Sequence, residues 1–338
     1  MSKSQFVSNC TADSLRDAAA KLLAGNLVAF PTETVYGLGA DACNADAVAR
    51  IYAVKGRPAD HPLIVHVSSM HRLGDWAEEI PEYAIKLARD FWPGPMTLVL
   101  RRSELARDFI TGGQETVGVR VPDHVVARGL LEAFENLGGK GVAAPSANRF
   151  GQVSPTTASA VIEEIGKYLE PTDQVIDGGV CAVGVESTII DCTGEAPQIL
   201  RPGAVTASMI VASTGIPVAK SVSSPNFGEV CNSSIITSNE FVRVSGSLEN
   251  HYSPAAKVIL DQEPVEGQGF IALADIPTPL KVIRLASPKD PDEFAKILYA
   301  ALRQADSDGL TEVVVKQPDT DGIAVAIRDR LSRAANGR

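Results

Sequence analysis

The chain has 338 residues, 45% of them hydrophobic and 21% charged, a globular composition too long for one ordinary core, so two domains are expected and disorder is excluded. Its formal net charge of −10 argues against a protein that grips a nucleic acid duplex, because such affinity comes from a basic stripe neutralising phosphates. Five cysteines (Cys10, Cys43, Cys181, Cys192, Cys231) form no CxxC pair, the N-terminal segment has no apolar stretch, and no run approaches the roughly 20 apolar residues of a membrane span; a cytoplasmic protein with packing cysteines is expected.

In chain order, Leu15, Ala18, Ala19, Leu22 and Leu23 fall at helical spacing after Thr11, and Gly25 stops that helix. Residues 27–30 read as a short apolar strand. Asn44 caps a second helix carrying Val48, Ile51 and Tyr52 on one face, with Pro58 beyond its end. Strands are predicted at 63–67, 96–100, 117–121, 141–144, 175–176, 187–191 and 198–200, and helices at 82–91 and 157–169. The interleaving gives an α/β layered domain, and its irregular order with short glycine-containing turns predicts a mixed sheet. Residues 220–248 are rich in Ser and Asn without periodicity, the texture of a linker. Four more strands (257–260, 270–273, 281–285, 312–315) and two helices (291–305, 321–335) then build a small α/β domain. The expected organisation is a first domain at 1–219, a linker at 220–255 and a second domain at 256–338.

No GxxxxGK[ST] loop, no GxGxxG after a strand, no GxSxG and no HExxH occurs, so the common phosphate cradles and hydrolase sites are absent. Polar clusters stand instead at strand ends. Residues 31–39, PTETVYGLG, either point into a site or form a hydroxyl-rich turn bonding its own backbone. Lys55, Arg57, His61 and His66 gather cationic and donor groups within twelve residues, suited to phosphate oxygens or to a solvated helix terminus; His66 also suits a plain core position. Arg120 lies inside an apolar strand pattern and needs either a structural acid or a bound carboxylate. Residues 144–158, APSANRFGQVSPTTA, offer backbone N–H groups to an anion ahead of a helix, or simply cap it. Ser187 leads one strand and Arg201 closes the next. The stiff Pro93-Gly94-Pro95 turn shapes a wall.

These clusters, in this order, resemble the YrdC/Sua5 family of threonylcarbamoyl-AMP synthases from about residue 13 to 205: FPTETVYGLG, KGRP with HPLIVHV, WPGPMTLVL, VGVRVPDH, APSAN, ESTIID and LRPG. The linker, HYSP at 251–254 and the trailing domain resemble the long Sua5 form. The resemblance implies a twisted mixed YrdC-like sheet with a cationic hollow, plus a smaller Rossmann-like α/β domain. It implies a nucleotidyltransferase that joins L-threonine, bicarbonate or CO2 and ATP into threonylcarbamoyl-AMP and pyrophosphate. That product is an intermediate for the threonylcarbamoyl mark on tRNA adenosine, handed to a tRNA threonylcarbamoyltransferase. Carried over by motif, Thr34, His66, Arg120 and Ser187 take threonine. Lys55, Arg57, His61, Thr116, Ser146, Ser154, Arg201 and Tyr252 take ATP, with Lys55 and Arg57 catalytic by charge. Magnesium would accompany ATP, with no protein ligand identified. Relatives often have Asn in place of His61, and Ser245-Gly246-Ser247 replaces a Pro-Gly-Met pattern. An RNA-binding module and a carbamoyl-transfer enzyme are the competing classes; the acidic charge and 5% aromatic content count against the first, and the lack of cysteine pairs against the second.

Overall fold

The structure, a computed structural model, describes residues 6–219, 242–244 and 252–336. Most of the expected linker, including His251, Ser245-Gly246-Ser247 and Cys231, lies outside them. The N-terminal lobe holds β1 (Val7–Asn9), α1 (Ala12–Leu23), β2 (Val28–Phe30), β3 (Gly37–Asp41), α2 (Ala45–Lys55), β4 (Ile64–His66), α3 (Leu73–Trp76), β5 (Ala77–Glu78), α4 (Glu82–Phe91), β6 (Met96–Arg102) and α5 (Asp108–Thr111). It continues with β7 (Thr116–Arg120), α6 (Val125–Asn136), β8 (Val142–Ala143), α7 (Ala158–Ile165), β9 (Gln174–Asp177), β10 (Thr188–Asp191), β11 (Gln198–Arg201) and α8 (Ala207–Thr214). Its strands form one mixed sheet in the order β1-β9-β2-β3-β8-β4-β7-β6-β10-β11, with β5 beside β6. The expected mixture is present: β4/β7 and β6/β10 run parallel, β6/β7 and β10/β11 antiparallel.

The C-terminal lobe is a parallel sheet, β12 (Lys257–Leu260), β13 (Gly269–Ile271), β14 (Ile283–Ala286) and β15 (Glu312–Val315), in the order β12-β15-β13-β14. Helices α9 (Pro291–Ser307) and α10 (Ile323–Ala335) follow its third and fourth strands, as the sequence predicts. Asp290 caps α9 by accepting from Glu293 N, with Pro291 at the first helical position, where its missing N–H is no loss.

Local chemistry accounts for the starts of two predicted helices. Thr11 and Ser14 form a reciprocal capping box on α1, and Asn44 accepts from Asp46 and Ala47 N–H at the start of α2. Seven elements were not foreseen: β1, β3, α3, β5, α5, α6 and α8. Strand β3 reads GLGAD, poor strand composition, yet the neighbouring strands require its glycine: a Cβ on Gly39 would fall 2.8 Å from Phe30 and 2.9 Å from Val142. Helix α6 begins at His124, whose ring accepts from Val126 N in place of an ordinary cap, and carries Gly129 in its interior. Its stability is tertiary. Val126, Ala127, Leu130, Leu131 and Phe134 bury against Ala18, Ala19 and Leu22 of α1, each large side chain worth ~1.5–3 kcal/mol.

The lobes are packed together. A cluster of buried apolar residues runs from Val35, Val153 and Val185 through Tyr252 to Phe294, Leu298 and Tyr299. Gly184 has φ 85°, and a Cβ there would fall 2.4 Å from the Ala295 carbonyl oxygen on α9, so only glycine allows this approach. Arg303 adds an ion pair to Glu164 at 2.8 Å across the same junction.

Candidate active site

Strand ends of the large sheet converge on one cleft of about 510 Å³, lined among others by Thr32, Thr34, Arg57, His66, Arg120, Ser146, Glu186, Ser187, Arg201 and Tyr252. Register explains the meeting. His66 ends β4 directly beside Arg120 at the end of the parallel β7, and a bridge between Gly37 and Ser146 brings the 144–148 segment against the 31–37 turn. Eight residues predicted from sequence therefore share the cleft: Thr34, Arg57, His66, Arg120, Ser146, Ser187, Arg201 and Tyr252.

At one end stands Arg120, 4% exposed, with Nη2 2.6 Å from Glu33 Oε1 and 2.9 Å from Thr34 Oγ1. Glu33 also accepts from Asp123 N at 3.0 Å, which fixes the carboxylate. Of the two partners the sequence left open for Arg120, the structural acid is present. The buried Nε of Arg120 nonetheless has no hydrogen-bond partner among the described residues, so the guanidinium keeps a donor at the cleft. Thr34 is wholly buried, its hydroxyl 2.8 Å from that of Thr32. The turn reading of 31–39 holds for Thr32, whose hydroxyl donates to Val35 O and accepts from Thr34 and Val35 N–H. His66 sits edge-on to Phe30 with Nδ1 3.2 Å from Ile64 O. Burial and then the neighbouring Arg120 charge pull it down to about 3, so its ring is neutral at ordinary pH.

Elsewhere on the lining, Ser187 Oγ lies 2.8 Å from Thr97 Oγ1 and accepts from Arg201 Nη2 at 3.1 Å, while Arg201 Nε donates to Ser187 O at 3.1 Å. Ser187, expected on the threonine side, thus also contacts the arginine expected on the nucleotide side. Arg57 donates to Pro62 O at 2.9 Å and lies 5.8 Å from the Phe150 ring centroid; burial lowers it to about 10, still protonated at neutral pH. Tyr252, 1% exposed with φ 64°, stacks 5.9 Å from Tyr299 of α9 and so enters from the C-terminal lobe side.

Four expected residues lie elsewhere. Lys55 was expected beside the polyphosphate, but the αL turn at Gly56 ends its helix so that Nζ is buried and donates to the Ser146 and Asn148 carbonyls, both at 2.6 Å. Burial, then Arg57, lowers it well below the usual lysine range. Its placement is that of a brace for the 146–148 backbone. His61 packs edge-on against Phe150, 5.3 Å between centroids, outside the cleft lining. Ser154 donates to Glu186 Oε1 at 2.6 Å instead of lining the cleft. Thr116 lines an adjacent hollow of about 300 Å³ with Ile64, Thr97, Gln114, Arg243 and Val244, where Gln114 pairs with the Arg243 backbone.

Sequence reasoning missed Glu33 and Glu186, although both stand inside quoted motifs. Each is a buried carboxylate in a run whose hydroxyls drew attention, and the signal for Glu33 was the unpartnered Arg120. Glu186 is 5% exposed; burial alone would raise it, but Arg330, Arg201 and Ser154 outweigh that and hold it at about 2. No local signal reveals Arg330, 144 positions away on α10, which meets it at 2.8 Å.

A buried cleft carrying three arginines, hydroxyls and a neutral histidine at the strand ends of a mixed sheet has the charge and donors to receive a small anionic ligand, as in α/β proteins that bind at strand ends. Comparison narrows the class. Residues 20–203 match the family described as "Telomere recombination", and residues 205–336 match "Threonylcarbamoyl-AMP synthase, C-terminal domain". The threonylcarbamoyl-AMP synthase of Pyrococcus abyssi is 38% identical, across 96% of this chain and 94% of that protein; the Bacillus subtilis enzyme is 36% identical, across 96% and 93%. The crystal structure of P. abyssi Sua5 complexed with L-threonine superposes with a TM-score of 0.83 at 36% identity, covering 98% of each chain. The chain belongs to the Sua5/YrdC family of threonylcarbamoyl-AMP synthases.

Proposed function

We propose that this protein is an L-threonylcarbamoyladenylate synthase, joining L-threonine, CO2 or bicarbonate and ATP into threonylcarbamoyl-AMP and pyrophosphate. The observation that carries the reading is the buried Arg120 with an unpartnered Nε beside Thr34 and neutral His66, in a relative of a protein solved with L-threonine. A guanidinium already fixed by Glu33 offers a preset carboxylate receptor, at little cost in ordering. Neutral His66 adds no charge to repel or trap the amino group.

The chemistry asks for charge and positioning more than for a base. The threonine amine and CO2 form a carbamate and release a proton. A carbamate oxygen forms a bond to the α-phosphorus of ATP while the bond from that phosphorus to the bridging oxygen breaks, and pyrophosphate leaves with the electron pair. Arg57 and Arg201 supply fixed positive charge for the phosphates at the far end of the cleft, and the Ser146 segment supplies polar donors. Tyr252 closes the wall toward the C-terminal lobe, keeping water from a labile carbamate.

Among the described residues no cluster of three His, Cys, Asp or Glu side chains can hold a metal ion, and the Glu186 carboxylate is already bonded to three donors. Magnesium would enter with ATP, held by phosphate oxygens and water. The product is a mixed anhydride suited to transfer onto a tRNA adenosine by a separate threonylcarbamoyltransferase; the net charge of −10 leaves stable tRNA binding unexpected. Among the described residues no helix is long and apolar enough to cross a membrane.

Mass spectrometry of the purified protein with ATP, Mg²⁺, bicarbonate and L-threonine, each omitted in turn, tests the reading. Threonylcarbamoyl-AMP should form only in the complete mixture. Product without threonine or without bicarbonate, or pyrophosphate release independent of both, would refute it.

A further inference from the structure

One charge in the cleft runs against the proposed use. Among the described lining residues three are arginines and one, Glu186, is a carboxylate. A carboxylate near the phosphates repels them and competes for the Arg201 guanidinium, which acts on it through space. Its oxygens are held instead by three donors: Ser154 Oγ on Oε1 at 2.6 Å, and Tyr299 OH at 2.9 Å with Arg330 Nε at 2.8 Å on Oε2. Two of these come from the C-terminal lobe. The Arg330 side chain is fully buried, and its other donors reach Pro202 O at 3.0 Å, Glu186 O at 3.5 Å and Asp329 Oδ2. The fork therefore ties the residue before Ser187 to the residue after Arg201.

Resting on the nucleotide reading above, we propose that Arg330 is a positioning residue: by holding the Glu186 carboxylate it leaves Arg201 to present its guanidinium to the phosphates of a nucleoside triphosphate. Removing Arg330 leaves Glu186 charged and buried, and Arg201 is the remaining arginine acting on it, so the two would pair and the cleft would lose a phosphate receptor. The C-terminal lobe would then serve the reaction through this link, without touching substrate. The link also predicts that neutralising Glu186 should undo the loss of tripolyphosphate binding while threonine affinity stays unchanged throughout, whereas a merely structural defect would weaken both ligands.

Calorimetric titration of the full chain with inorganic tripolyphosphate, and separately with L-threonine, tests this in the wild type, R330K, R330M and R330M/E186Q, with thermal unfolding as the folding control. R330M should weaken tripolyphosphate binding by about ten- to a hundredfold while threonine affinity stays within about threefold. R330M/E186Q should recover tripolyphosphate binding to within about threefold of wild type, since a neutral pair of similar volume replaces a buried ion pair. R330K, which keeps the charge without the fork, should fall between, and it carries the test if R330M does not fold. Wild-type-like binding in R330M, no recovery in the double variant, or equal losses of both ligands in R330K would overturn the inference. A wild type that binds threonine but no tripolyphosphate would instead refute the nucleotide reading on which it rests.

Discussion

Two arginines face the same cleft and are fixed in different ways. Arg120 is paired at 2.6 Å with Glu33, from the turn after β2 of its own lobe. Arg201 donates to the Ser187 carbonyl and hydroxyl, both at 3.1 Å, beside a Glu186 carboxylate that Arg330 of the other lobe pairs at 2.8 Å. In the proposed site the end assigned to threonine would thus be held within the N-terminal lobe, whereas the end assigned to phosphates would lean on a residue 144 positions away from Glu186 in sequence. A long-range dependence of this kind separates two properties that a single-lobe site would lose together: amino acid binding and nucleotide binding.

The sharpest way to break the contrast is at Arg120. Arg120→Ala strands the buried Glu33 charge, an effect of about 3–5 kcal/mol, and should abolish threonine binding in calorimetry while lowering the unfolding temperature. Retained threonine affinity would separate Arg120 from the amino acid. Acid titration comes next. His66, depressed from 6.5 to about 3, binds fewer protons folded than unfolded, so its contribution to stability is complete above pH 6.5 and is lost as pH falls toward 3. Glu186, depressed from 4.5 to about 2, contributes fully above pH 4.5 and loses that contribution as pH falls toward 2. A tenfold difference in proton affinity between the folded and unfolded chain corresponds to about 1.4 kcal/mol. Denaturant melts across pH should therefore show the threonine end weakening first; a conservative H66N change should flatten the limb between those values for His66 and leave the lower one. A limb unchanged by H66N would mean that the buried ring is not what titrates.

A smaller effect is expected at the other arginine. Arg201→Met removes charged hydrogen bonds to a ligand worth about 1.5–3 kcal/mol, which should raise the KM for ATP some tenfold to a hundredfold and leave the KM for threonine nearly unchanged. Equal rises in both would erase the division of the cleft. Smallest in its effect on the cleft is Gly184→Ala, which adds backbone strain at φ 85° to a clash with α9 and should cost at least about 1–3 kcal/mol in stability. Its kinetic defect should fall on ATP. A defect falling on threonine instead would place the lobe junction on the wrong side of the site.

Much of this cleft was legible because its donors sit in short runs after apolar strands. Arg57, His66, Arg120, Ser187 and Arg201 stood out by position, their roles resting on the family resemblance, and the irregular order of helices and strands pointed to the mixed sheet. The paired register of His66 and Arg120 could not be read, since it depends on which strands become neighbours. The same holds for Glu33 and Glu186, whose importance comes from partners distant in sequence. Lys55 illustrates a different limit: a lysine at a helix end looks like a phosphate ligand, yet the backbone turn at Gly56 directs it inward to two carbonyls. Helix α6 escaped notice because its cap is a histidine and its interior holds a glycine, so its stability lies in packing against α1 and not in local propensity.

In the proposed site one cleft seats an amino acid at Arg120 and a triphosphate at Arg57 and Arg201. The decisive measurement follows incorporation of labelled bicarbonate into a threonine- and adenylate-containing product by mass spectrometry, in the wild type and in Arg120→Ala and Arg201→Met. Product is expected in the wild type, none in the first variant, and product restored by excess ATP in the second. Undiminished product in Arg120→Ala, or a loss in Arg201→Met that excess threonine but not ATP repairs, would contradict it.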